Sequence, residues 1–176
     1  MRVVVPMAGQ GERYRRAGHG LPKPLIDVDG APMIVRVIDD LAAVAPDARW
    51  LFVILRAHDE QTPLRRVLLD RVPGAEVVAI DAHRDGPIAT LLAVADRVDP
   101  DEPMLLSYCD YGVRWDARAF RAWCEAGAWD AAMSAYRGFH PHGLGPTRYA
   151  SMRVEESAVT APGARVLEIR EKHQFT

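Results

Sequence analysis

A glycine-bearing loop near the start of the chain carries the residues best suited to chemistry. Gly9 and Gly11 follow a short apolar run, Arg13 comes directly after Glu12, and Lys23 lies between two prolines. Glycine lets the backbone come close to oxyanions, and successive backbone N–H groups can form an anion-binding concavity. The two cationic side chains can neutralise charge that moves during phosphoryl or nucleotidyl transfer. The loop therefore predicts a polyphosphate-binding site.

Other interpretations of the loop stay open on residue types alone. The dinucleotide fingerprint G-x-G-x-x-G needs a third glycine, and Tyr14 stands there instead. Asp27 and Asp29 lie about where a ribose-binding acid is expected, so a weaker hypothesis of a nicotinamide oxidoreductase remains. A Walker A loop needs Gly-Lys-Ser/Thr, which is absent. An ordinary tight turn with solvated charges is the structural alternative.

Several segments, in the expected order, resemble the nucleotidyltransferase family of sugar-nucleotide pyrophosphorylases. Pro6–Arg13 with Pro22–Leu25 is similar to that family's Gly-x-Gly-x-Arg…Pro-Lys signature. Asp85–Thr90 resembles its glycine–alanine segment beside the nucleobase, and Tyr108–Tyr111 follows an apolar run where the family places a metal-binding aspartate. Glu171–Lys172 resembles the pair that faces the sugar phosphate. Ser107–Tyr111 and Glu168–Thr176 look most like bacterial members tied to capsule or lipopolysaccharide sugars.

The resemblance implies a role for each matching residue. Arg13 and Lys23 would be the catalytic residues. Arg13 would hold the β- and γ-phosphates and stabilise the leaving pyrophosphate, and Lys23 would lie near the α-phosphate and help to screen the attacking sugar phosphate. Asp110 would bind Mg²⁺, Glu171 would accept sugar hydroxyls, and Lys172 would meet the sugar phosphate. The implied nucleotide-binding residues are Ala8, Gly9, Gln10, Gly11, Asp85, Gly86 and Ala89. The implied substrates are a nucleoside triphosphate and a phosphorylated sugar, which react by in-line attack with release of pyrophosphate.

Departures from the family keep two other functions open. Ala150 stands after Tyr149 where the family often has glycine, and no second metal-binding acid follows the Glu-Lys pair before Thr176. A nucleotide-binding regulatory domain without turnover is therefore one alternative. A GT-A glycosyltransferase using a nucleotide sugar is another, although Gly112 stands where such enzymes usually have the second acid of an Asp-x-Asp pair.

The predicted site side chains also have structural interpretations. Asp110 at the end of a strand could cap a turn, and Asp85 could be a charge near a helix N-terminus. Glu171 or Lys172 could face solvent, because side chains alternate across a strand. Cys109 follows an apolar run and has no histidine beside it in sequence, so we expect a buried structural thiol rather than a nucleophile.

Composition limits the class of protein. A chain of 176 residues with 49% apolar content fits a single globular domain spanning residues 1–176. A net charge of −2 gives no basic field for nucleic acid or a membrane surface, and no apolar run is long enough to span a bilayer. With no secretory leader and no Cys-x-x-Cys, we expect a cytoplasmic protein with reduced thiols. Homo-oligomerisation is left open.

The elements that must position these residues alternate between strands and helices. Strands are predicted at 2–6, 50–55, 76–80, 103–108 and 130–136, and helices at 32–45, 58–70, 87–98 and 116–126. A Gly/Pro/His-rich loop at 137–147 precedes paired strands at 149–155 and 165–172. This order predicts an α/β, Rossmann-like three-layer sandwich (GT-A-like) with a mixed, mostly parallel sheet. The chain ends on a strand, so we expect a truncated or a minimal form of the fold.

Overall fold

The computed structural model describes residues 1–112, 116–127, 130–136, 138, 149–155 and 163–172. Two compact units divide the chain, Met1–Trp129 and Asp130–Thr176, and each is described by itself. The expectation of one domain over residues 1–176 stays a prediction. The predicted loop at 137–147 lies outside the described residues, apart from Gly138. No helix in the described ranges is long and apolar enough to cross a membrane.

The first unit alternates strands and helices along the chain. Its strands are β1 (Arg2–Met7), β2 (Asp27–Val28), β3 (Ala31–Pro32), β4 (Arg49–Leu55), β5 (Glu76–Ile80) and β6 (Met104–Leu106). Its helices are α1 (Glu12–Arg16), α2 (Met33–Val44), α3 (Arg56–Gln61), α4 (Leu64–Arg71), α5 (Gly86–Leu92) and α6 (Ala117–Ala126). Short 3₁₀ helices cover Lys23–Leu25 and Ala95–Arg97. The small strands β2 and β3 form an antiparallel hairpin of their own.

Four strands of this unit form a parallel sheet in the order β5-β4-β1-β6. In this register Val4 on β1 lies between Leu51 on β4 and Leu106 on β6. Parallel neighbours need crossover connections, and the helices between the strands supply them. The predicted Rossmann-like α/β fold is confirmed.

The sheet is covered on both faces because side chains of the central strands alternate between two apolar clusters. On one face, residues of β1 and β4 pack against α2 and α4; the members include Val3, Val5, Phe52, Ile54, Ile34, Val37, Leu64 and Leu68. On the other face, Val4, Leu51 and Val53 pack with Val94. Burial on both faces explains why β1 and β4 are nearly continuous apolar runs, as parallel sheets require.

Two predicted helices differ from the observed ones. The helix predicted at 58–70 is two helices, α3 and α4, because Thr62 is extended before Pro63 and a residue before proline is disfavoured in the helical region. The helix predicted at 87–98 ends at Leu92, and the chain then bends so that Val94 enters the core at 1% exposure. The helix predicted at 116–126 is confirmed, with Asp116 accepting a cap bond from the Ala119 N–H at 2.9 Å.

Two predicted strands also differ. The strand predicted as buried at 103–108 is the three-residue β6, and Met104 and Leu106 are each 46% exposed. β6 pairs only with β1 in the described sheet, so its outer edge lacks a neighbour there. The strand predicted at 130–136 is wrong, since these residues are described without strand structure. An apolar run becomes a strand only where a neighbouring backbone satisfies its hydrogen bonds.

The second unit contains an antiparallel pair, β7 (Ala150–Val154) and β8 (Val166–Glu171). Met152 lies opposite Ile169, and the register shifts at Arg153/Val154. The predicted pairing at 149–155 and 165–172 is therefore confirmed. In the described residues this pair forms a sheet of its own, and the four-stranded sheet is parallel throughout.

Candidate active site

The glycine loop turns the chain sharply between β1 and α1. Ala8 is buried at the end of β1, and Gly11 has left-handed backbone angles, φ 62° and ψ 31°. The Gly11 carbonyl accepts bonds from the N–H groups of Tyr14 and Arg15 at 2.9 and 3.1 Å, which starts α1. Glycine adopts this conformation without the steric cost that a side chain brings. The turn places Arg13 in the short helix directly after the loop.

A cavity of about 590 Å³ lies against this loop. It is bordered by segments that follow three parallel strands, β1, β5 and β6, so it opens at the carboxyl edge of the sheet, where open α/β folds bind ligands. Its lining includes seven of the residues singled out from the sequence: Ala8, Gly9, Gly11, Arg13, Lys23, Gly86 and Asp110. The tertiary structure thus brings together the glycine loop, the lysine and the aspartate singled out from the sequence.

Lys23 and Asp110 are in direct contact in this cavity, although they are 87 residues apart in the chain. The Lys23 ammonium donates to Asp110 Oδ2, and the two side chains are 24% and 35% exposed. The Lys23 Nζ also lies 5.4 Å from the centre of the Tyr14 ring, within the range of a cation–π interaction. The ammonium is therefore held between a carboxylate and an aromatic face.

The backbone around Lys23 is anchored from within the fold. Lys23 begins a 3₁₀ turn whose Leu25 N–H donates to the Pro22 carbonyl at 2.8 Å. Pro24 and Leu25 are buried, and Leu25 belongs to the core cluster beneath α2. Proline restricts the backbone on both sides of the lysine. The Pro-Lys-Pro sequence thus fixes the backbone position of Lys23, while its long side chain can still extend into the cavity.

Cys109 lines the cavity but is only 7% exposed. Burial raises the pKa of the Cys109 thiol to about 11, and Asp110 adds to the rise while Lys23 opposes it. The thiol is therefore protonated at neutral pH, which fits a structural cysteine and not a nucleophile. Both Cys109 and Cys124 are free thiols.

We expect Cys109 to resist alkylation in the folded protein. At pH 8 a thiol with a pKa of about 11 has roughly 100-fold less thiolate than an ordinary cysteine, so iodoacetamide modifies it at least that much more slowly. Peptide mass spectrometry over time, with the urea-unfolded protein as the control, measures the rate. Labelling of Cys109 at the same rate in folded and unfolded protein would contradict the burial.

Three of the predicted nucleotide-binding residues, Gln10, Asp85 and Ala89, do not line the larger cavity. Gln10 lines a smaller hollow of about 340 Å³ beside the cavity. Asp85 directly precedes α5, and neither Asp85 nor Ala89 lines the cavity or the hollow. Their contact with a nucleotide stays a prediction.

Glu171 and Lys172 lie at the end of β8 in the second unit. Both side chains are exposed, and Lys172 Nζ is 3.4 Å from Glu171 Oε1. The Lys172 backbone is left-handed, with φ 55°, and its N–H donates to the Tyr149 carbonyl at 3.0 Å. Their role toward a sugar phosphate stays a prediction.

The sequence analysis assigned no site role to several residues that line the cavity, among them Tyr14, His83, Arg84 and Tyr108. His83 Nε2 lies 2.9 Å from the hydroxyl of Thr90, which is 4% exposed. For His83 and Arg84, the sequence signal that could have found them was their position directly before the Asp85–Thr90 segment. In the sequence, Tyr14 is notable only because it replaces the third glycine of the dinucleotide fingerprint. Its contact with Lys23 corresponds to no local sequence pattern.

Similarity to known proteins shows the family to which this chain belongs. A family model described as the MobA-like NTP transferase domain matches residues 3–173. The chain belongs to this family. It is therefore a nucleotidyltransferase, as the resemblance in its motifs implied. No curated protein matches the chain significantly in sequence.

Solved structures share the fold of this MobA-like nucleotidyltransferase. A nucleoside-diphosphate-sugar pyrophosphorylase from Vibrio cholerae RC9 is 18% identical, with a TM-score of 0.70 over 99% of this chain and 68% of its own. A UDP-glucose pyrophosphorylase is 12% identical, with a TM-score of 0.65 over 98% and 69%. The inositol-1-phosphate CTP transferase from T. maritima is 16% identical, with a TM-score of 0.62 over 99% and 65%. The chain thus spans about two thirds of the length of each.

The donor set for a divalent cation in the described residues is small. No three His, Cys, Asp or Glu side chains of that part of the chain lie close enough to hold a metal ion by themselves. Asp110 brings a carboxylate to the cavity, and Mg²⁺ is commonly held by one or two carboxylates together with substrate phosphates. The residues present therefore fit a magnesium ion that is bound jointly with a triphosphate.

Proposed function

We propose that this nucleotidyltransferase joins a nucleoside triphosphate to a sugar 1-phosphate, or to a similar phosphorylated alcohol, and releases pyrophosphate with the help of Mg²⁺. The observation that carries the proposal is the contact between Lys23 and Asp110 in a cavity that Gly11 and Arg13 also line. A cavity that combines backbone near glycine, two kinds of cation and a carboxylate suits a metal-bound polyphosphate.

In the proposed mechanism, the glycine loop and Arg13 hold the β- and γ-phosphates. Arg13 is exposed, lines the cavity and has no carboxylate partner within the described ranges, so its guanidinium is available to a phosphate. Guanidinium groups form strong charge-assisted bonds with phosphate oxygens. The negative charge that collects on the departing pyrophosphate is then stabilised where it develops.

Lys23 is proposed to act at the α-phosphate. An oxygen of the acceptor phosphate forms a bond to the α-phosphorus as the bond to the bridging oxygen of pyrophosphate breaks. The ammonium reduces repulsion between the two anionic substrates, and the anchored Pro-Lys-Pro backbone holds it in place. Positioning and charge neutralisation lower the barrier without a covalent enzyme intermediate. Mg²⁺, when held by Asp110 and substrate oxygens, supplies further charge neutralisation.

The acceptor class is proposed from two supports. The Glu171–Lys172 pair resembles the pair that faces the sugar phosphate in sugar-nucleotide pyrophosphorylases, and both of these side chains are exposed. The solved structures described above are named for nucleoside-diphosphate sugars, UDP-glucose or inositol 1-phosphate. We further propose that the product is a cytoplasmic precursor for a surface polysaccharide, because the motifs look most like bacterial members tied to such sugars.

Pyrophosphate release tests the proposal. The purified chain is incubated with Mg²⁺, each common nucleoside triphosphate, and a panel containing glucose 1-phosphate, mannose 1-phosphate and inositol 1-phosphate. We expect release that depends on one triphosphate–acceptor pair and stops without the acceptor. Triphosphate binding that raises the Tm without release for any pair would instead support the regulatory binding domain. Consumption of a nucleotide sugar with transfer of its sugar would support a glycosyltransferase.

A further inference from the structure

The charges around the cavity are unequally compensated. Its cationic lining residues include Arg13, Arg16, Lys23 and Arg84. Lys23 pairs with Asp110, and Arg16 pairs with Glu12 at 3.4 Å. Neither Arg13 nor Arg84 has an ion-pair partner among the residues that the structure describes. The excess positive charge of the lining therefore rests on these two guanidinium groups, of which only Arg13 has a role in the mechanism above.

Arg84 lies where the cavity meets the smaller hollow of about 340 Å³. Gly11, Glu12, His83 and Arg84 border both spaces, whereas Arg13 borders the larger one alone. The smaller hollow thus adjoins the cavity, between the glycine loop and the segment that follows β5. Arg84 is its cationic side chain, and Glu12, its acidic one, already has Arg16 as a partner.

The backbone on both sides of Arg84 is constrained. On one side the His83 ring is half-buried and bonds to the buried Thr90 hydroxyl at 2.9 Å. On the other side α5 begins at Gly86, which has a left-handed φ of 82°. Arg84 itself is exposed. The fold therefore fixes the origin of this side chain beside the glycine loop and leaves its guanidinium accessible to a ligand.

We propose that Arg84 binds the terminal phosphates of the triphosphate and the pyrophosphate that leaves, with the smaller hollow taking that end of the ligand. This inference rests on the proposed function. A planar guanidinium can donate two parallel hydrogen bonds to a phosphate, which makes arginine well suited to such a subsite. Arg13 and Arg84 then share the charge of the leaving group across the glycine loop, and the nucleoside and the acceptor occupy the larger cavity.

Titration calorimetry with Arg84→Met tests the subsite. The probes are inorganic pyrophosphate, the nucleoside triphosphates and the corresponding monophosphates, at one Mg²⁺ concentration and one ionic strength. Loss of a charge-assisted contact is expected to weaken pyrophosphate and triphosphate binding by roughly 10- to 100-fold. Monophosphate affinity changes by less than about twofold, because that ligand lacks the terminal phosphates.

Two further variants control the experiment. Arg66→Met removes an exposed arginine on α4 that borders neither space, and its affinities are expected to equal those of the unmodified protein. Arg84→Lys keeps a cation without the planar fork, so it is expected to bind pyrophosphate with intermediate affinity. Thermal unfolding without ligand checks that each variant folds, and the lysine variant provides the measurement if the methionine variant does not.

The outcomes separate this inference from the proposed function. Unchanged pyrophosphate affinity in Arg84→Met overturns the inference alone, provided that the unmodified protein binds pyrophosphate and triphosphate. An equal loss for monophosphate and triphosphate also overturns it, because Arg84 would then contact the nucleobase, the ribose or the α-phosphate. If the unmodified protein binds none of these ligands, the proposed function fails and the subsite fails with it.

Discussion

Replacing Arg13 with methionine is expected to lower kcat by about 100- to 1,000-fold, equivalent to about 3–4 kcal/mol of transition-state stabilisation. The reason is that Arg13 lines the cavity without a carboxylate partner in the described part of the chain, so its full charge is available to the departing pyrophosphate. The charge on that group rises as the bond breaks. The loss is therefore expected mainly in kcat rather than in KM.

Arg15→Met is the matched control for this prediction. Arg15 lies on the same short helix, is exposed, and does not border the cavity or the smaller hollow. Steady-state pyrophosphate release with the best substrate pair, compared for the two variants, measures the effect. Equal rates for Arg13→Met and Arg15→Met would show that Arg13 does not stabilise the transition state.

The Lys23–Asp110 pair supports a second prediction of similar size. Lys23→Met and Asp110→Asn are each expected to lower kcat by at least about 100-fold, because each removes a charge that the proposed mechanism directs at the transferring group. Since the two side chains are in contact, the double variant is expected to lose much less than the product of the two single losses. Asp110→Asn is also expected to raise the Mg²⁺ concentration needed for half-maximal turnover, because only substrate oxygens then hold the ion.

Stability measurements separate this catalytic effect from unfolding. Both side chains are partly exposed, so solvent weakens their mutual attraction, and the pair contributes about 1 kcal/mol or less to the free energy of unfolding. Urea unfolding of the two single variants is therefore expected to resemble that of the unmodified protein. Fully multiplicative losses in kcat, or unchanged Mg²⁺ dependence in Asp110→Asn, would show that the two residues do not act on one phosphate centre.

Local sequence signals were sufficient for much of the scaffold. The apolar runs at 2–6 and 50–55 predicted β1 and β4, because a strand buried on both faces needs apolar residues at every position. Asp116 predicted the start of α6, because its side chain can satisfy a free N–H of the first turn. The apolar spacing at 58–70 predicted one helix, but Pro63 disfavours the helical conformation of the residue before it and divides the segment into two helices.

Long-range structure decided what the local patterns left open. The run at 130–136 has the composition of a strand, yet it is described without one, since a strand also needs a partner from elsewhere in the chain. The exposure of β6 likewise depends on its position at the edge of the described sheet. Local sequence patterns carry no information on which strands become neighbours. Neither the missing strand at 130–136 nor the exposure of β6 could therefore be predicted from the sequence.

The site divides in the same way. The sequence by itself determined that a glycine-bearing loop follows the first strand, that a lysine lies between two prolines and that an aspartate follows a later apolar run, because these features are set by a few neighbouring residues. Only the tertiary structure decided that Lys23 touches Asp110 and that Arg84 adjoins the glycine loop. The physical reason is the parallel sheet, whose register brings the carboxyl ends of β1, β5 and β6 to one edge.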